Sequence, residues 1–117
     1  MYQAIYAEMA EETTAAIRDN ERQAFERSIS LLRAAQSKGR GSRESVDALL
    51  FMSRLWSILI EDLAHPDNGL PDALKASLIS IGIWVLRRAD DIRLGREVDF
   101  QPLIEVSESV CSGLRRH

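Results

Sequence analysis

Apolar residues recur at three- and four-residue intervals in four stretches of this chain, and no stretch alternates with period two, so the pattern predicts an all-α protein. The first firm helix opens near Asp19 or Asn20, either of which can cap the free N–H groups of its first turn, and runs to about Ser37. Phe25, Ile29 and Leu32 share one side of it, while Glu21, Arg22, Glu26, Arg27 and Arg33 keep the other sides wet. The segment "SKGRGS" ends it, because Gly39 and Gly41 can take the left-handed backbone that stops helices. A second helix follows Ser42 and reaches about Ala64, with Val46, Leu49, Leu50, Met52, Leu55, Trp56, Leu59, Ile60 and Leu63 inward and Phe51 and Ile58, one heptad apart, projecting away. "HPDNGLP" then forces a turn, since Pro66 and Pro71 lack the N–H that a continuing helix needs.

The third helix, from about Pro71 to Leu94, is oily on most of its sides. At about 100° per residue, Leu74, Leu78, Ile81, Val85 and Ile92 make one broad face, Ile79, Ile83 and Leu86 make another, and Trp84 lies beyond the first. Only Ser80, Arg87 and Asp91 form a polar seam between them. Gly95 marks its stop, and a last helix runs from about Asp99 or Pro102 to Leu114 with Leu103, Val106, Val110 and Leu114 inward. Residues 1–18 carry only a weak stripe of Ile5, Met9 and Ile17 and read as a short helix or a frayed arm. The 117 residues suit one core, so the expected architecture is a compact single-domain bundle of four to five helices spanning residues 1–117.

Composition narrows the function classes. With 45% hydrophobic and 28% charged residues the chain should fold, and its formal net charge of -3 offers no general attraction to phosphate backbones or anionic lipid. "MYQAIYAEMAEE" lacks the basic start and apolar core of a secretory signal, and the lone Cys111 suits a reducing compartment, so a cytoplasmic protein is expected. The apolar run from Leu78 to Leu86 falls far short of the roughly 20 residues needed to cross a bilayer.

Reactive constellations are wanting. His65 adjoins Pro66 and Asp67 in a turn and His117 is the last residue, so neither belongs to a metal or triad pattern. Adjacent carboxylates such as Glu61 with Asp62 and Asp90 with Asp91 point about 100° apart on a helix and do not share a site. Ser53, Ser57, Ser77 and Ser80 have no histidine base and read as small polar spacers at helix contacts. The glycines form neither a dinucleotide fingerprint nor a phosphate loop. Catalytic, cofactor and metal residues are therefore none, and an enzyme is not expected. Lys38, Arg40 and Arg43 in "SKGRGSR" could touch phosphates, but no aromatic platform is interleaved with them, so a solvated loop is the expectation. Arg115 and Arg116 in "LRRH" compensate the negative end of the last helix dipole.

The order and spacing of "MYQ", "ERQAFERSISLLRAAQ", "SRESVDAL", "RLWSILIEDL", "NGLPDALKASLISIGIWVLRRADDIRLG" and "PLIEVSESV" resemble the flagellar biosynthesis regulator FlaF family of alphaproteobacteria, most of all its rhizobial branch. The resemblance covers nearly the whole chain and departs around Lys38 to Arg43 and in the last few residues, where members differ freely. It implies a small cytoplasmic protein that promotes flagellin synthesis or secretion, binding flagellin as an export chaperone. It also implies work alongside FlbT, a regulator associated with flagellin messenger RNA that acts in the opposite sense.

Partner binding of this kind needs an apolar groove rather than reactive groups. The surplus apolar surface makes Phe51, Ile58, Ile79, Ile83, Leu86, Trp56 and Trp84 the candidate partner-binding residues, along a groove between the helix of Trp56 and that of Trp84. Core burial competes evenly with that role for Ile79, Ile83 and Leu86, and for the two tryptophans it is the first expectation. Two alternatives remain: a post-transcriptional regulator acting with FlbT on flagellin messenger RNA, and an adaptor whose extra apolar surface makes a homodimer.

Overall fold

The computed structural model describes residues 21–97 and 99–115, the last two by backbone alone, and among these the chain is helical without strands. Four helices follow one another: α1 over 21–38, α2 over Arg43–Ala64, α3 over Asp72–Arg93 and α4 over Gln101–Arg115. These bounds fall within one or two residues of the expected ones wherever both can be compared, and the molecule is an all-α single domain. The expectations for residues 1–18, for a start at Asp19 or Asn20, and for the side chains of Leu114, Arg115, Arg116 and His117 lie outside the described residues.

Local chemistry explains each boundary. Gly39, at φ +96°, donates its N–H to the Ala35 carbonyl at 2.8 Å and closes α1. Ser42 then starts α2: its Oγ accepts the Ser45 N–H at 3.2 Å and donates to the Gly39 carbonyl at 2.7 Å. The end of α3 is a Schellman motif, in which Gly95 at φ +79° donates to the Ile92 carbonyl at 3.1 Å and Arg96 to the Asp91 carbonyl at 2.8 Å. Ahead of α4, Asp99 Oδ1 accepts the Gln101 N–H at 2.9 Å. Gly95→Ala should cost about 1 kcal/mol in urea denaturation, because an L side chain resists this φ, whereas Gly41→Ala, with a non-positive φ and nothing within 4 Å of the new methyl, should be neutral or slightly stabilising.

One core joins all four helices. Phe25, Leu32 and Ala35 come from α1, Ala48, Leu49, Met52 and Trp56 from α2, Val85, Ala89 and Ile92 from α3, and Leu103, Ile104 and Cys111 from α4, with Phe100 just before it. The rings of Phe25 and Trp56 meet edge to face, centroids 5.6 Å apart at 79°. The helices form two layers. In one, α2 and α3 pack antiparallel along their length and Gly82 lets them touch: a Cβ there would lie 2.7 Å from Ile60 Cδ1 and 2.8 Å from Trp56 Cε3. In the other, Arg33 Nη2 donates to Glu108 Oε1 at 2.6 Å and Gln36 Nε2 to Gln101 Oε1 at 3.0 Å, so α1 and α4 also run antiparallel. These exposed bonds add little stability. They orient two helices that cover one side of the α2/α3 pair.

Several inward assignments need correction. Val46 and Leu50 face solvent at 62% and 49% exposure, because α2 has neighbours on only part of its circumference. On α4 the inward line runs through Leu103, Ile104, Ser107 and Cys111, while Val106 and Val110 are half-buried. The small Ser107 and Cys111 side chains permit that close approach. The buried serines are Ser28, Ser45 and Ser107; Ser57, Ser77 and Ser80 are exposed and Ser53 half-buried, so those four are not enclosed spacers.

Candidate functional site

Gly82 points at α2, and from it the turn of the helix places every other α3 residue. At about 100° per residue, Leu86, Ile79 and Ile83 come at roughly 40°, 60° and 100° to one side of Gly82. The buried Val85, Ala89 and Ile92 fall on the other side. On α2 the direction of contact with α3 lies between Trp56 and Ile60, and from it Val46 and Leu50 come at roughly 60° and 100° in the same sense of turn. Because the helices are antiparallel, an equal sense of turn brings both sets to the same side of the pair. The opposite side carries Ala48 and Met52 and is covered by α1 and α4.

The result is a largely apolar face that no other described helix covers. Val46, Leu50 and Ile83, the last at 43% exposure, stand on it, Ile79 and Leu86 are half-buried in it, and Leu94, 50% exposed, extends it past the end of α3, with the exposed Ser57 and Asp90 at roughly 80° as polar breaks among them. A largely apolar face along two neighbouring helices is of the kind that receives another helix.

Of the seven candidates from sequence, the fold therefore brings together Ile79, Ile83 and Leu86. Trp56 takes the core position that is the first expectation for it rather than its candidate partner-binding role: it is fully enclosed between Phe25 and Gly82. Trp84 is not in the core, being 40% exposed, and it points roughly 160° away from Gly82, on the outer edge of α3. Phe51 and Ile58 lie on the side of α2 turned away from α3; Phe51 is half-buried with the Arg27 guanidinium 5.6 Å from its ring centroid, and Ile58 is 67% exposed. The helices of Trp56 and Trp84 do sit beside each other, but the tryptophans themselves do not line a common groove. Val46 and Leu50 are the residues that sequence reasoning assigned to the wrong side. A signal was present: apolar residues of α2 from Leu55 round to Leu50 occupy an arc of roughly 220°, wider than one bundle face needs.

Other features are less concentrated. Arg43 pairs with Asp47 at 3.9 Å, and Arg40 lies against Gly95 at the end of α3, where Asp90 pairs with Arg93 at 3.0 Å and Asp91 with Arg96 at 3.7 Å. His65 closes α2, its Nδ1 accepting the Asp67 N–H at 3.1 Å, as suits a turn. Two open hollows of about 590 and 370 Å³ border α4, sharing Glu108 and Ser112. Among the described residues no three His, Cys, Asp or Glu side chains are grouped to hold a metal ion, and no helix is long and apolar enough to cross a membrane.

Among the described residues, fold and surface together define a small all-α protein with a solvent-facing, largely apolar helix-pair face. The chain belongs to the flagellar protein FlaF family, whose model matches residues 2–114. No curated protein and no solved structure matches it.

Proposed function

We propose that this flagellar protein promotes flagellin synthesis or secretion without catalysis, by binding flagellin as a cytoplasmic export chaperone through the uncovered face of α2 and α3. The observation that carries the reading is the exposure of Val46, Leu50 and Ile83 on one side of the helix pair, in a chain of a flagellar family. Flagellin segments that are disordered before assembly are the natural cargo, since a segment can fold into an amphipathic helix as it docks. Among the family's implied roles, messenger RNA binding gains less support, because the formal net charge is -3 and Arg43 of the basic segment is paired with Asp47.

Co-expression with flagellin followed by size-exclusion chromatography tests this. The wild-type chain should co-elute with flagellin, and Ile83→Glu should weaken the complex by about 30-fold, the equivalent of a central contact worth 2 kcal/mol. Its melting temperature should fall by less than about 5 °C, because the side chain is already half in water. Ile58→Glu, on the other side of α2, should leave the complex intact. Loss with Ile58→Glu and retention with Ile83→Glu would move the docking surface; failure of the wild type to bind flagellin would remove the proposal.

A further inference from the structure

The uncovered face has charged rims, and their pairing says what kind of helix fits. Arg43, Arg88 and Arg93 of α2 and α3 each meet a carboxylate, on Asp47, Glu97 and Asp90 respectively. Arg54 and Arg87 are exposed and make no ion pair among the described residues. The reason is visible in the helices. Arg54 has Leu50, Phe51, Ser57 and Ile58 as its neighbours one turn away, none of them acidic, while Asp90 and Asp91, one turn beyond Arg87, are already held by Arg93 and Arg96.

The two free guanidiniums also stand opposite each other. Gly82 faces the point between Trp56 and Ile60, so in an antiparallel pair the level of Arg54 on α2 corresponds to that of Leu86 and Arg87 on α3. Each is turned roughly 140° from the line joining the helices, in the sense of the uncovered face, and so stands at its outer rim. Between them lie Leu50, Ile83 and Asp90, the last paired with Arg93.

We propose that this face takes an amphipathic helix whose apolar stripe is flanked on both sides by carboxylates, which Arg54 and Arg87 hold from the two rims. The proposal rests on the reading of the face as the docking surface and adds the chemistry of its occupant. A second copy of this chain fits poorly, because a two-fold axis through the middle of the face would bring the arginines of both copies together. Glu61, about two turns from Arg54 toward the end of α2, limits the arginine clamp to the middle of the face.

The test uses labelled peptides of about 18 residues, long enough for five turns of helix, that share one leucine stripe and differ only in having Glu, Gln or Lys along its flanks. Fluorescence anisotropy with the full chain at low salt should show the Glu-flanked peptide binding at least about tenfold tighter than the Lys-flanked one, and the gap should narrow as salt rises. Arg54→Gln with Arg87→Gln should abolish the preference, and Ile83→Glu should weaken all three peptides. Equal binding of the Glu and Lys peptides, a preference that survives the double variant, or a stable dimer in sedimentation that Ile83→Glu dissociates would each overturn the proposal. The two readings fail separately. Flagellin that co-elutes while the peptides show no charge preference removes the clamp alone, and a clear Glu preference without flagellin binding removes the flagellin assignment alone.

Discussion

Trp56→Ala is expected to lower the unfolding free energy by about 3–5 kcal/mol, a large share of the 5–15 kcal/mol typical of a whole domain. The size of the effect follows from where the ring sits. Trp56 has no exposed surface, meets Phe25 edge to face at 5.6 Å, and is approached on another side by the backbone of Gly82. Truncation would remove contacts to α1 and α3 at once and leave a void that rigid helix backbones cannot close. Trp56→Phe should cost much less, since it keeps most of the aromatic contact and forfeits no hydrogen bond from Nε1 to any described residue. Urea denaturation followed by far-UV circular dichroism measures both. A loss under about 1 kcal/mol for the alanine variant would mean that the ring is not the centre of the core.

Gly82→Ala should destabilise by about 1–2 kcal/mol, although the same change in an ordinary helix interior stabilises by roughly 1 kcal/mol. Two effects oppose each other here. The methyl would favour the helix of α3, but it would lie 2.8 Å from Trp56 Cε3 and 2.7 Å from Ile60 Cδ1. Ile60 is half-buried and its terminal methyl can rotate aside. The Trp56 ring is fully enclosed and cannot, so α2 and α3 must separate. Separation would also shift Leu50 and Ile83 relative to each other, so the proposed flagellin binding should weaken even though Gly82 is buried. In a Trp56→Phe background the penalty should shrink, because the smaller ring leaves room for the methyl. A gain in stability from Gly82→Ala alone would show that the helices are not in close contact at this point.

Much of the fold was legible because its signals are local. Ser42 before Arg43, the prolines of "HPDNGLP" and Gly95 after Leu94 act within one turn of themselves, and each helix boundary fell where they put it. Phe25, Leu32, Met52, Trp56, Val85 and Ile92 were likewise readable as core, since they lie centrally in their apolar arcs. The candidate site was only half legible. Ile79, Ile83 and Leu86 were marked by a second apolar face on α3, but nothing in their spacing distinguishes them from Val46 and Leu50, which were assigned inward, or from Trp84, whose size suggested burial.

From sequence alone follow an all-α chain, the extents of its helices, the absence of recognisable catalytic motifs, and an excess of apolar positions over what one packed face requires. Tertiary structure alone decided where that excess lies. Periodicity defines directions around one helix axis, whereas exposure depends on which directions other helices occupy. Here α1 and α4 cover a single side of α2 and α3, and Gly82 sets the line about which that side is turned inward.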